Sequence, residues 1–132
     1  MKRMITFLIA LSVLFACKKS DDSDKGAIPP PGMYIGTFHR TGMDTSVVTL
    51  TLDGNRYNGQ SDFKLYPAIC HGSYEYYDNT IHFTDSCSWT ANFDWTLILN
   101  GPYSFTNNNN ELRFSRTNGN ITDEYILRKA PR

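Results

Sequence analysis

Neither sign of charge is in excess in this sequence: thirteen Lys and Arg balance thirteen Asp and Glu over 132 residues. No basic stripe interleaves with aromatics, so nothing supports a nucleic-acid surface. No apolar run approaches the roughly 20 residues that a membrane-spanning helix needs. No internal repeat falls at solenoid spacing, and no stretch carries a helical stripe of apolar residues. Three histidines and three cysteines leave little for a metal centre. His39, His71 and His82 are not arranged as a ligand set with a free cysteine, so no metal, cofactor or catalytic chemistry is expected.

What is present begins with an unusual N-terminus. Lys2 and Arg3 precede an apolar run from Ile5 to Phe15, which fits the h-region of a secretory signal. Leu14-Phe15-Ala16-Cys17 resembles the lipobox of bacterial lipoproteins, which implies cleavage after residue 16 and a diacylglycerol on Cys17. Several acyl chains would anchor the chain, at about 0.8 kcal/mol per buried CH₂. Residues 17–31 then read as the lipidated Cys and a tether. Lys18 to Lys25 is charged and solvated, and Pro29-Pro30-Pro31 favours an extended stretch. Lys followed by acidic residues is similar to the surface-export signal of Bacteroidota-type lipoproteins, implying a protein of the cell envelope, lipid-anchored to the outer membrane.

Residues 32–132 alternate with period two and are cut by turn residues at short intervals, the pattern of an all-β sandwich or barrel. Strands are expected at about 33–40, 46–53, 55–63, 70–77, 80–87, 95–106, 111–117 and 120–128. Asp53-Gly54 and Asn118-Gly119 favour two-residue hairpin turns, setting Leu50 across from Tyr57 and Leu112 across from Tyr125. A loop at 107–110 would pair Phe105 with Leu112 and Tyr103 with Phe114. The first loop would set Phe38 against Val48 and Tyr34 against Leu52. From Asp78-Asn79, Tyr76 pairs with Ile81, Tyr74 with Phe83, Gly72 with Asp85 and Cys70 with Cys87. The last pair falls at a close, non-hydrogen-bonded position with an expected Cα separation of about 4.5 Å, so a disulfide should form in a secreted chain. Eight hairpin-linked strands favour an up-and-down antiparallel meander closing into a barrel, since closure removes exposed edges. A two-sheet β-sandwich is the alternative.

The chain resembles a lipocalin-like (calycin) domain over about residues 32–129. The carriers are Gly32-Met33-Tyr34, Val48 to Gly54, the Tyr57–Gly59 arm, Tyr66-Pro67-Ala68 before Cys70, and Phe93-Asp94-Trp95. Tyr34 stands where lipocalins carry Trp, with Arg128 as the matching basic cap. The resemblance implies a binding barrel without catalytic chemistry.

Alternation points Tyr34, Phe38, Tyr57, Phe63, Tyr74, Tyr76, Phe83, Trp95, Tyr103, Phe105, Phe114 and Tyr125 inward. Of these, Tyr34, Phe38, Tyr57, Tyr74, Tyr76, Phe83, Trp95, Tyr103, Phe105 and Tyr125 are the candidate lining of a site for a small apolar or amphipathic ligand, with tyrosine hydroxyls orienting it. The competing expectation is that the rings simply fill the barrel, which at eight strands is just wide enough for either. The protein would then be a non-catalytic interaction module whose protein partner the sequence does not name. Asp85 and Asp123 also point inward, with Arg116 near Asp123. His71 and His82 fall on the solvent face. The loop carrying Trp89 and Phe93 is a candidate lid, partner patch or plug.

Overall fold

The computed structural model describes residues 27–90 and 92–131. The expected signal peptide, the lipidation residue Cys17 and most of the tether lie outside them. The strands are β1 (Gly32–Arg40), β2 (Thr45–Asp53), β3 (Arg56–Ser61), β4 (His71–Tyr77), β5 (Thr80–Asp85), β6 (Gly101–Asn108), β7 (Glu111–Asn118) and β8 (Ile121–Lys129). Each pairs antiparallel with the next, and β1 pairs with β8, so the sheet is a closed barrel in chain order. The meander is as expected and the sandwich alternative falls away.

One face of nearly every strand is buried because apolar residues alternate along it, as in β2, where Ser46, Val48, Leu50 and Leu52 point in and Val47 points out. Tight passages at two seams depend on glycine. A Cβ on Gly36 would collide with the carbonyl of Ile126 across the closing β1–β8 seam, and one on Gly72 with that of Thr84.

The β4–β5 hairpin has the expected register, with Tyr74 opposite Phe83 and Gly72 opposite Asp85. The other hairpins are displaced by two residues. Leu52, not Leu50, faces Tyr57; Phe114, not Leu112, faces Tyr125; Phe105 faces Phe114; and Tyr34 faces Leu50, with Phe38 opposite Ser46. The cause lies in the turns. Gly54 and Gly119, at φ 59° and 60°, are the first rather than the second loop residue, and Asn109-Asn110 makes a two-residue loop with both φ positive. A slip of two leaves every side chain on its own face, so the core is unaffected.

The expected sixth strand begins six residues late. Trp95–Leu97 is a short 3-10 turn instead, capped by the Asp94 side chain, which accepts from Thr96 N. Ala68 then bridges Ile98 in parallel, through Ala68 N to Leu97 O and Leu99 N to Ala68 O, both at 3.0 Å. The two crossing segments seal one barrel end with Ala68, Leu97 and Leu99.

Cys70 and Cys87 form the expected disulfide, with a Cα separation of 6.3 Å. The wider spacing follows from the ladder ending at Gly72–Asp85, which lets the cysteines splay. Replacing both by Ala should lower stability by roughly 2–5 kcal/mol while leaving the barrel closed. Urea unfolding of the oxidised wild type against the double variant measures this, and matching midpoints would mean that the staple is idle.

Candidate functional site

Every expected ligand-lining residue except Trp95 points into the barrel. There they pack on one another: Phe114 stacks on Tyr125 at 4.4 Å between centroids, Phe38 meets Tyr125 at 4.7 Å, and Tyr57 meets Phe83 edge-on at 5.1 Å. Three of their six hydroxyls are committed to backbone carbonyls, and that of Tyr76 is buried without a hydrogen-bond partner. Tyr34 donates to Pro30 O at 2.6 Å, Tyr57 to Leu99 O at 3.0 Å and Tyr74 to Gly54 O at 2.8 Å. Burial pushes the phenol of Tyr34 up to about 12 and raises those of Tyr57, Tyr76, Tyr103 and Tyr125 further, so these rings stay neutral. The interior is a packed core of the kind that an eight-stranded barrel can just contain.

Trp95 is the correction with the largest consequence. The 3-10 turn rotates it out of the strand pattern, and it is 56 % exposed. Phe63 is also exposed rather than interior, and Ile98 is buried where alternation points it out. Arg128 is not a cap beneath Tyr34: it faces solvent and pairs with Glu111 at 2.8 Å, while Lys129 stands opposite Tyr34.

Trp95 opens onto a cleft of about 520 Å³ at the sealed end, lined also by Arg40, Asp85, Cys87, Trp89 and Asn100, with Arg116 and Asp123 at its floor. The floor is ionic. Arg40 ends β1 opposite Asp123 of β8, and Asp123 lies opposite Arg116 of β7. Arg40 gives Nε to Asp123 Oδ1 at 2.6 Å and Nη2 to Oδ2 at 2.8 Å. Its Nη1 reaches Asp94 Oδ2 and Thr96 Oγ1, each at 2.9 Å, and Nη2 also reaches Thr96 O at 3.0 Å. All five N–H groups of the buried guanidinium are therefore used. Donating to Asp123 raises the Arg40 guanidinium's affinity for its proton further, and Asp94 is held below the usual carboxylate range by Thr96 and then Arg40. Arg116 lies 3.2 Å from Asp123, gives Nη1 to Asn100 O at 2.8 Å and Nη2 to Thr96 O, and sits 4.7 Å above the Tyr103 ring.

Asp123 and its partner Arg116 are legible in the sequence, and Arg40 joins them only in the structure. It shares the parity of Tyr34 and Phe38 in β1, which was signal enough to place it inward. Asp85 behaves differently from Asp123. Its Oδ2 accepts from Trp89 Nε1 at 2.7 Å and from Cys87 N at 3.3 Å, while its Oδ1 is buried without a hydrogen-bond partner.

Trp89 and Phe93 do not plug the barrel. With Trp95 they form a ridge beside the cleft, with centroids 5.7 and 6.2 Å apart. Cys70, His71 and Cys87 are clustered, His71 Nδ1 lying 3.2 Å from each sulfur, but the sulfurs are bonded to one another and offer no thiolate. Comparison with protein-family models, curated proteins and solved structures finds no match for this chain.

Two outcomes test the floor. Asp123→Leu strands two cations and should cost about 3–5 kcal/mol in chemical unfolding, and Arg40→Met/Asp123→Leu should recover part of that loss. Because Asp94 is held below its ordinary value of 3.8, its contribution is complete above that pH and is lost as pH falls through the depressed value. Trp95 fluorescence should therefore report loosening of the 94–97 turn in strong acid while the far-ultraviolet strand signal persists.

Proposed function

We propose that this protein is a membrane-anchored, lipocalin-like binding lipoprotein without catalytic chemistry, and that it takes a small amphipathic ligand in the cleft at the barrel end rather than inside the barrel. The observation that carries this reading is an exposed Trp95 beside a pocket of about 520 Å³ whose ionic floor is already bonded to itself. A floor of that kind positions walls and leaves no free acid–base pair. The packed interior, with the hydroxyls of Tyr34, Tyr57 and Tyr74 spent on carbonyls, argues against a ligand among the inward rings.

An anchor at Cys17 would be set by the chain's point of entry to face one end of the barrel. Pro30 accepts from Tyr34 and Ala27 O accepts from Asn107, both at the end that carries the β2–β3, β4–β5 and β6–β7 turns, whereas Arg40 and the cleft are at the other. A lipid on Cys17 would thus hold the cleft away from the outer membrane, towards whatever the envelope presents. The Trp89–Phe93–Trp95 ridge, half-buried at Trp89 and Phe93 and exposed at Trp95, favours a second reading, a protein partner seated on the same end.

One purification tests both anchor and ligand. Wild type from its own envelope should fractionate with membranes, carry acyl mass at Cys17 and retain a small molecule in native mass spectrometry. Cys17→Ser should leave the membrane fraction, and Trp95→Ala should lose the small molecule while staying folded. A wild-type protein free of acyl mass, or an adduct indifferent to Trp95, would overturn the respective half.

A further inference from the structure

We propose that the cleft takes a saccharide: a neutral sugar whose apolar ring face lies on Trp95 and whose hydroxyls meet Asp85, Asn100 and Arg116. The inference rests on the cleft being the binding site and names the ligand class.

Charge comes first. The cleft is lined by two cations, Arg40 and Arg116, and two anions, Asp85 and Asp123. Arg40 and Asp123 are paired at 2.6 Å, so the walls offer an ionic ligand no net field.

The remaining hydrogen-bonding groups are of both kinds and lie on one wall. Asp85 Oδ1 lacks a donor but is shielded from solvent, so a sugar hydroxyl meets it after a local side-chain shift that the unpaired oxygen favours. Asn100 spends its Oδ1 on Asp85 N at 3.0 Å, which leaves Nδ2 as the donor end of the amide. Arg116 commits three N–H groups, to Asp123, Asn100 O and Thr96 O, out of the five that a guanidinium carries. A hydroxyl donates and accepts at once, so neighbouring sugar hydroxyls answer a carboxylate oxygen and an N–H donor set side by side. A carboxylate head would meet Arg116 but also Asp85, and an alkylammonium would meet Asp85 but also Arg116, so neither gains a net attraction.

The aromatic wall completes the match. Trp95 is more than half exposed, and Phe93 stacks beneath it at an interplanar angle of 24°. An apolar body with a polar edge is what such a ring accepts, and a sugar has an aliphatic C–H face with equatorial hydroxyls at its rim. The volume falls among small-molecule sites, about 300–1,000 Å³.

The test is saturation-transfer NMR on the full chain in phosphatidylcholine liposomes. The probes are neutral tetrasaccharides of β-1,4-linked glucose, β-1,4-linked N-acetylglucosamine and α-linked mannose, with octanoate and octyltrimethylammonium alongside and empty liposomes as blank. At least one tetrasaccharide should receive transfer at the C–H groups of one ring face. Trp95→Ala and Asp85→Asn should each weaken it about fivefold or more, and Thr106→Ala on the outer wall should not. Trp95 is exposed and Asp85→Asn keeps its shape, so both variants should fold. If only an octyl probe binds, and does so through Trp95, the cleft remains the site but the saccharide inference fails. If no probe binds, both readings fail. Sugar binding indifferent to Trp95 and Asp85 overturns the inference as well.

Discussion

The guanidinium of Arg40 holds together parts of the chain that no hairpin connects. β1 and β8 are the first and last strands, and their pairing closes the barrel. At the cleft end that seam is fastened by Arg40 on Asp123, and the same cation reaches Asp94 and Thr96 at the start of the plug. Asp123 extends the row to Arg116 on β7. An ion taken from water so completely is tolerated only where its partners satisfy it, because an unpaired buried charge costs several kcal/mol. With all five donors answered, the seam, the plug and the cleft floor become one rigid unit.

That unit lies over a filled barrel. A barrel of about a hundred residues has little core to spare, and here inward rings from β1, β3, β4, β5, β6, β7 and β8 fill it. Hollowing it for a ligand would forfeit the burial of large aromatics, each worth about 3–5 kcal/mol on truncation. The irregular segments at one end, which the disulfide and the Arg40 cluster hold in place, carry the cleft instead.

The sequence was most legible where period two and turn chemistry agreed. Asp78-Asn79 placed Tyr74 against Phe83 and joined Cys70 to Cys87 because the loop was two residues long and its centre unambiguous. Around Gly54 and Gly119 the turn could be centred in two ways, and both put Leu, Tyr and Phe on the same face. Hydrophobic matching is blind to that choice, since it distinguishes parity and not a shift of two. Only the backbone requirement for positive φ at the first loop position decides it.

The candidate site was less legible for a related reason. Trp95, Leu97 and Leu99 alternate as a strand would, and Leu97 and Leu99 are indeed buried, but by a plug laid across the barrel end rather than by a wall of it. Alternation records which side chains leave water and not which element removes them. The signal that breaks the pattern is Asp94, followed two residues later by Thr96: a capping acid that turns the chain and leaves Trp95 outside. Once Trp95 is outside, the ring that seemed to line the barrel becomes the most exposed aromatic of the cleft. The same short turn that closes the core therefore also presents Trp95 to the cleft.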